Sequence, residues 1–201
     1  MATPSLSHSA FAHDRFTARR KVMTLFSPQF HFYDEHENLI GFVKQKAFKL
    51  KEDIRVYADE SMSRELLTIK ARKILDFSSA YDVMDPTTQQ KVGALKRRGW
   101  KSMLKDEWIV MDANDAEIGR VKEDSALLAT LRRLHELLSL MIPQSYVFEF
   151  GTQQVGTAKQ NFNPFVLKLN VDFSQDPVKQ MDRRLVAAAV VLLLAIEGRQ
   201  R

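Results

Sequence analysis

Between residues 91 and 105 the chain carries Lys91, Lys96, Arg97, Arg98, Lys101 and Lys105, no acidic residue, and one tryptophan, Trp100. Side chains of this kind hold anions rather than break bonds. An indole among clustered cations suits the headgroup level of an anionic bilayer. A solvated strand surface looks the same in sequence. Nucleic acid is a competing anion, but no nucleic-acid motif accompanies the run. In a strand, alternation leaves at most about four of these cations on one face. At about 1 kcal/mol per cation near an anionic membrane, they supply about 4 kcal/mol, a weak and reversible attachment. Arg19, Arg20, Lys21, Lys44, Lys46 and Lys49 add to the patch where folding brings them alongside.

Little else in the chain points to chemistry. The five histidines (His8, His13, His31, His36 and His135) lack metal-ligand spacing. His31 and His36 read as solvated or hydrogen-bonded side chains. Asp112-Ala113-Asn114-Asp115-Ala116-Glu117 resembles a calcium loop but lacks its glycine and its length, so it reads as a turn. There is no Gly-rich phosphate loop and no Gly-x-Ser-x-Gly nucleophile elbow. The 201 residues contain no cysteine, which removes disulfides, thiol nucleophiles and S-linked lipids from consideration. Thirty basic against twenty-five acidic residues give +5, favouring anionic partners. The expectation is a non-enzymatic protein that uses neither cofactor nor metal.

The elements that position the basic run follow from two patterns. The first is an apolar run over residues 185–196, Leu-Val-Ala-Ala-Ala-Val-Val-Leu-Leu-Leu-Ala-Ile, with Asp182 placed to cap a helix and Gly198 to end it. Twelve residues fall short of the about 20 that a membrane span needs. A helix apolar on every side must instead be enclosed by protein, with Leu185, Val190, Leu193 and Ile196 among its buried residues. The second is a repeat. Ile40-Gly41-Phe42-Val43-Lys44 recurs as Val92-Gly93-Ala94-Leu95-Lys96 and as Ile118-Gly119-Arg120-Val121-Lys122, with Leu66-Leu67-Thr68-Ile69-Lys70 as a degenerate copy. The closing lysines, 44, 70, 96 and 122, are 26 residues apart. A fifth copy, Val155-Gly156-Thr157-Ala158-Lys159, comes 37 residues after the fourth.

Each copy follows a β-rich stretch (30–33, 54–57, 81–84, 108–111, 146–150) and a polar turn, so each reads as a β-hairpin. The glycine fits a bulge or a bend where the sheet curls. The extra residues before the fifth copy read as an inserted amphipathic helix, capped by Asp124 or Ser125 and closed by Pro143, with a leucine stripe from Leu127 to Leu138. Five hairpins and a last strand over 165–173 make at least eleven strands. A meander of that length stacks as two sheets or closes. A closed barrel of that size is too wide for side chains alone to fill. A 12-residue helix spans about 18 Å, near the roughly 20 Å of a six-residue strand, so the apolar helix fits as the barrel's filling.

These hairpins, with their Gly-x-Val-Lys ends (Gly41 to Lys44, Gly119 to Lys122), the Trp108-Ile109-Val110 strand, and Met181-Asp182-Arg183-Arg184 leading into an apolar helix, resemble the LURP-one-related and phospholipid scramblase families. Both belong to the Tubby C-terminal-like barrels, and the resemblance covers residues 21–198. It implies a closed twelve-stranded barrel around a central helix, and a lipid-directed role: phosphoinositide headgroups in Tubby-like members, calcium-dependent lipid movement in scramblases. The scramblase calcium segment corresponds to residues 170–176, which offer only Asp172 and Asp176. A calcium site takes six to eight oxygens, several of them carboxylate, so calcium gating is not expected.

The organisation expected is therefore a flexible tail over 1–20 and one barrel domain over 21–198. The tail lacks the apolar core of a secretory signal, and Ala2 excludes myristoylation. The leading functional expectation is a cytoplasmic protein that binds anionic phospholipid or phosphoinositide headgroups peripherally, without a transmembrane span. A barrel that serves as a protein-interaction scaffold is the alternative, and phospholipid scrambling a further one.

Overall fold

The computed structural model describes residues 11–21, 29–44, 53–72, 80–98, 107–124, 144–161 and 166–196. They form twelve strands: β1 (Arg15–Lys21), β2 (Gln29–Tyr33), β3 (Leu39–Lys44), β4 (Asp53–Tyr57), β5 (Glu65–Ala71), β6 (Ala80–Met84), β7 (Lys91–Arg97), β8 (Glu107–Met111), β9 (Glu117–Glu123), β10 (Ser145–Phe150), β11 (Gln153–Asn161) and β12 (Val166–Asp172). One helix, α1 (Arg183–Ile196), follows them. Each strand pairs antiparallel with its neighbour in the chain, and β1 pairs with β12. The sheet is thus a closed barrel without an exposed edge. The all-β barrel around a C-terminal helix is the architecture that the repeat and the apolar run predict. The expected inserted helix, from residue 125 onward, and the cap at Gly198 lie outside the described residues.

Each hairpin is built by the same local chemistry. Four turns open on aspartate: Asp34, Asp59, Asp85 and Asp112. In each, Oδ1 accepts the backbone N–H two residues on, from His36, Ser61, Thr87 and Asn114, at 2.8 Å. The chain then reverses through a residue in the left-handed region, namely Glu37, Met62, Gln89 and Asp115, with Gly151 in the fifth turn. The returning strand next carries one extra residue. Ile40, Leu66, Val92, Ile118 and Val155 are each skipped in the pairing with the outgoing strand. The 26-residue repeat is therefore one bulged hairpin used again and again. A bulge bends a strand and raises its twist, which is what closing a sheet requires.

Of the glycines beside the bulges, Gly93 faces the helix at short range. A Cβ on Gly93 would lie 2.3 Å from the Met111 carbonyl oxygen and 3.0 Å from the Leu185 side chain. At Gly41 the nearest atom would be at 3.5 Å, an ordinary contact. The same spacing pattern thus meets tight walls in one hairpin and slack ones in another.

Inside the barrel every helix side chain from Leu185 to Ala195 is at most 4% exposed, including Leu185, Val190 and Leu193. The side chain of Ile196 lies outside the described set. Asp182 caps the helix: its Oδ1 accepts the Arg184 N–H at 2.9 Å, and its carbonyl accepts from Leu185 and Val186. At the far end Arg20 reaches inward from β1 and its Nη1 donates to the Leu194 carbonyl at 3.0 Å. That bond satisfies a helix carbonyl left without an intrahelical partner and sets a cation at the negative end of the dipole.

The barrel begins earlier than the expected boundary at residue 21. Residues Arg15 to Arg20, expected in a flexible tail, belong to β1, the strand that closes the barrel between β2 and β12. Only Phe16 and Ala18 are buried along it, so its apolar alternation is short and set among arginines.

Two substitutions test this packing. Leu193→Asp places an unpaired charge in the core at a cost of several kcal/mol, and the protein should be unfolded by circular dichroism at 25 °C. Gly93→Ala should lower stability by about 1–3 kcal/mol in urea unfolding, while Gly41→Ala leaves the midpoint almost unchanged.

Candidate functional site

Closure turns the repeated lysines into a ring. Lys44, Lys70, Lys96, Lys122 and Lys159 each follow a fully buried residue (Val43, Ile69, Leu95, Val121, Ala158), so alternation turns each outward. All five are exposed. They stand on β3, β5, β7, β9 and β11, which run in the same direction from the hairpin turns, so all five sit towards the opposite end of the barrel. The register shows how evenly they are set. Lys70 pairs with Asp82 and Asp82 with Ala94, two residues short of Lys96. Lys96 pairs with Ile109 and Ile109 with Arg120, two residues short of Lys122. The same step leads from Lys122 to Lys159, from Lys159 to Arg19, and from Arg19 to Lys44. Arg19 is thus the sixth member, supplied by β1. A constant stagger in a tilted barrel keeps all six at one height.

Two of the six are neutralised by acids. Arg19 bonds to Glu37 and lies over the Tyr33 ring at 4.4 Å, and Lys122 meets Glu149 at 2.5 Å. Glu37 is held below the usual carboxylate range mainly by its hydrogen bond from Arg19. Lys44, Lys70, Lys96 and Lys159 make no ion pair among the described residues. Lys70 lies between Asp53 and Asp82 in the register, but those carboxylates bond to Arg55 and Arg72. The hairpin turns carry the other sign: Asp34, Asp59 and Asp112 make no ion pair among the described residues, while Glu35 pairs with Arg15 and Glu60 with His31.

The structure divides the basic run read from sequence. Lys91 sits at the turn end of β7 in a network with Asp115 (2.6 Å) and Asp82 (3.4 Å), which Arg72 also joins. Asp115 is held below the usual range by Lys91 first and Arg72 second. Arg98 pairs with Glu107 at 3.1 Å. Arg97 shares the parity of buried Leu95 and is half-buried, opposite Trp108 in the register. Of the described members, Lys96 alone belongs to the ring. Trp100, Lys101 and Lys105 lie outside the described residues. Sequence reading named Arg19 and Lys44 as additions to the run but did not show the ring they form with Lys70, Lys96, Lys122 and Lys159. The 26-residue lysine period was its visible signal.

The sequence model of the LURP-one-related family matches residues 39–194. The chain belongs to the LURP-one-related family. None of the curated proteins matches it.

In this LURP-one-related barrel the segment before the helix serves as an anchor. Asp172 pairs with Arg15 at 3.3 Å and its Oδ1 accepts the Ser174 N–H. Asp176 is fully buried, and its carboxylate accepts from Arg183 Nη1 at 2.8 Å and from the N–H groups of Gln180 and Met181. Arg183, itself 4% exposed, also bonds to Asp14 at 2.7 Å and lies over the Phe173 ring. Both carboxylates are thus committed to protein donors. Burial disfavours the charge on Asp176, but the bonds from Arg183 and the two amides outweigh it and hold its pKa below the usual range.

That direction sets a pH window. A carboxylate with a lowered folded pKa contributes stability above its unfolded value, about 4, and loses it as pH falls through the folded value. The melting temperature should stay level from neutral pH to about 5 and fall below about 4. Asp176→Asn should be less stable at pH 7 and show a shallower acid decline.

Proposed function

We propose that this protein docks peripherally and reversibly on anionic phospholipid through its basic rim, without catalysis and without calcium gating. The observation that carries the reading is the set of four exposed lysines, Lys44, Lys70, Lys96 and Lys159, on one rim with no ion pair among the described residues. Cations left unneutralised in water cost the fold little and remain available to an anionic surface. The site is external. A cavity near the start of α1, lined by Phe11, Phe16, Phe32, Ile40 and Val56 among others, has room for about one water and so for no lipid tail. Among the described residues no helix is long and apolar enough to cross a membrane, in keeping with attachment from one side. Asp172 and Asp176, engaged with Arg15 and Arg183, support docking that is independent of calcium.

Four lysines at about 1 kcal/mol each amount to about 4 kcal/mol, or roughly a thousandfold in affinity. Cosedimentation should show binding to vesicles that contain phosphatidylserine at about 0.1 M salt, and loss of that binding near 1 M, where the Debye length shrinks from about 10 to about 3 Å. The variant with all four lysines changed to glutamine should bind no better than to pure phosphatidylcholine. Equal binding of the native protein to charged and neutral vesicles would sink the lipid reading and leave a protein partner for the barrel.

A further inference from the structure

The mouth of the barrel at the turn end holds a second arrangement, at the other end of the wall from the lysines. We propose that residues 11–14 are a tethered occupant of a binding site in this mouth, and that a small aryl carboxylate, an apolar ring carrying an acid on a short chain, takes their place. The site is bounded by hairpin turns and by residues 173–182, all of them described. It stands independently of the lipid reading.

Three observations carry it. The first is the cavity. It lies between the start of α1, at Arg183 and Ala187, and the inner wall, at Phe16, Phe32 and Gly41. Ala187 and Gly41 present little side chain to it. Phe11 and His13 border it from outside, and both precede the first residue that β1 pairs, Arg15. Phe11 is half-buried and packs against the core. Its ring thus fills a space that neither sheet nor helix fills. The room left beneath it holds about one water. With the ring withdrawn, the same space takes a phenyl group.

The second is the carboxylate. Arg183 is buried and holds two acids of unequal standing. Asp176 is 0% exposed and accepts from Nη1 at 2.8 Å. Asp14 is 38% exposed and comes from the same segment as Phe11. Its two bonds, from Nε at 3.1 Å and Nη2 at 2.7 Å, converge on Oδ1. A guanidinium edge fits a carboxylate best through two parallel bonds, one to each oxygen. The tethered acid holds this edge by one oxygen, where an untethered acid uses both.

The third is the attachment of the segment. Lys179 Nζ donates to the Ala12 carbonyl at 3.1 Å, and the Phe173 N–H donates to the Asp14 carbonyl at 2.7 Å. The sheet register begins only at Arg15, so residues 11–14 leave the mouth without opening the barrel. What they expose is an apolar pocket with a cation at its edge, and that pairing defines the ligand.

The probe is 3-phenylpropionate on the full chain. Acetate supplies the acid without the ring, and 3-phenylpropan-1-ol the ring without the acid. A segment tethered this closely competes at a millimolar effective concentration, so the native protein should bind the probe weakly. The double variant Phe11→Ala, Asp14→Ala, checked for folding by circular dichroism, should bind it about tenfold more tightly by calorimetry. Neither control should match it. In the native protein, saturating probe should speed hydrogen exchange at the Phe173 amide, whose acceptor leaves with the segment. That measurement needs no variant. No gain in the folded double variant, or native binding that leaves Phe173 exchange unchanged, overturns the tethered-occupant reading. Equal binding of the alcohol overturns the assignment of a carboxylate, and no binding to either protein overturns the site itself.

Discussion

A helix with no polar face can exist in water only where something surrounds it, and the rest of this fold answers that requirement. The α1 side chains from Leu185 to Ala195 lack contact with solvent, so the sheet must wrap around them completely and close. Closure at this width takes twelve strands, and curvature takes a bulge in each hairpin. Tight packing accounts for Gly93, where the Met111 carbonyl of the adjacent strand, with the Leu185 side chain beside it, leaves no room for a Cβ. The helix ends are secured where they meet water, by Asp182 and the Arg183–Asp176–Asp14 cluster at one mouth and by Arg20 at the other.

The same requirement sorts the charges. With the interior apolar, charged side chains are confined to the outer wall and the two rims. Reuse of one hairpin then places the same residue type at the same height around the barrel. Aspartates that build turns collect at one end because their carboxylates are needed to accept backbone N–H groups there. Lysines that end the returning strands collect at the other. A local solution to turn formation, repeated, thereby separates the turn aspartates from the strand-end lysines among the described residues. The helix lies in the same sense, its N-terminus towards the acidic turns and its C-terminus towards the basic rim, which suits its dipole.

Much of this was legible because the hairpin is a local object. The turn aspartates, the left-handed residue, the bulge and the closing lysine all lie within one stretch of chain, so their period of 26 survives in the sequence. β1 did not show itself for the opposite reason. Its partners are β12, some 150 residues away, and β2, and its outward positions are Arg15, Thr17 and Arg19. Nothing local marks such a strand, and its basic residues resemble those of a solvated tail. The basic run divides for a related reason. A contiguous run from Lys91 to Lys105 catches the eye, but adjacency in the chain sends Lys96 and Arg97 to opposite faces and leaves Lys91 among carboxylates at the far end.

Local chemistry therefore settled the hairpin, the helix and the need for one to enclose the other, since hydrogen bonding in turns and the burial of apolar surface act on neighbouring residues. Tertiary structure settled which cations stand together. That outcome depends on the two-residue stagger between successive strand pairs and on the meeting of β1 with β12. Both arise from closing the sheet around the helix, and neither is written in any single segment of the chain.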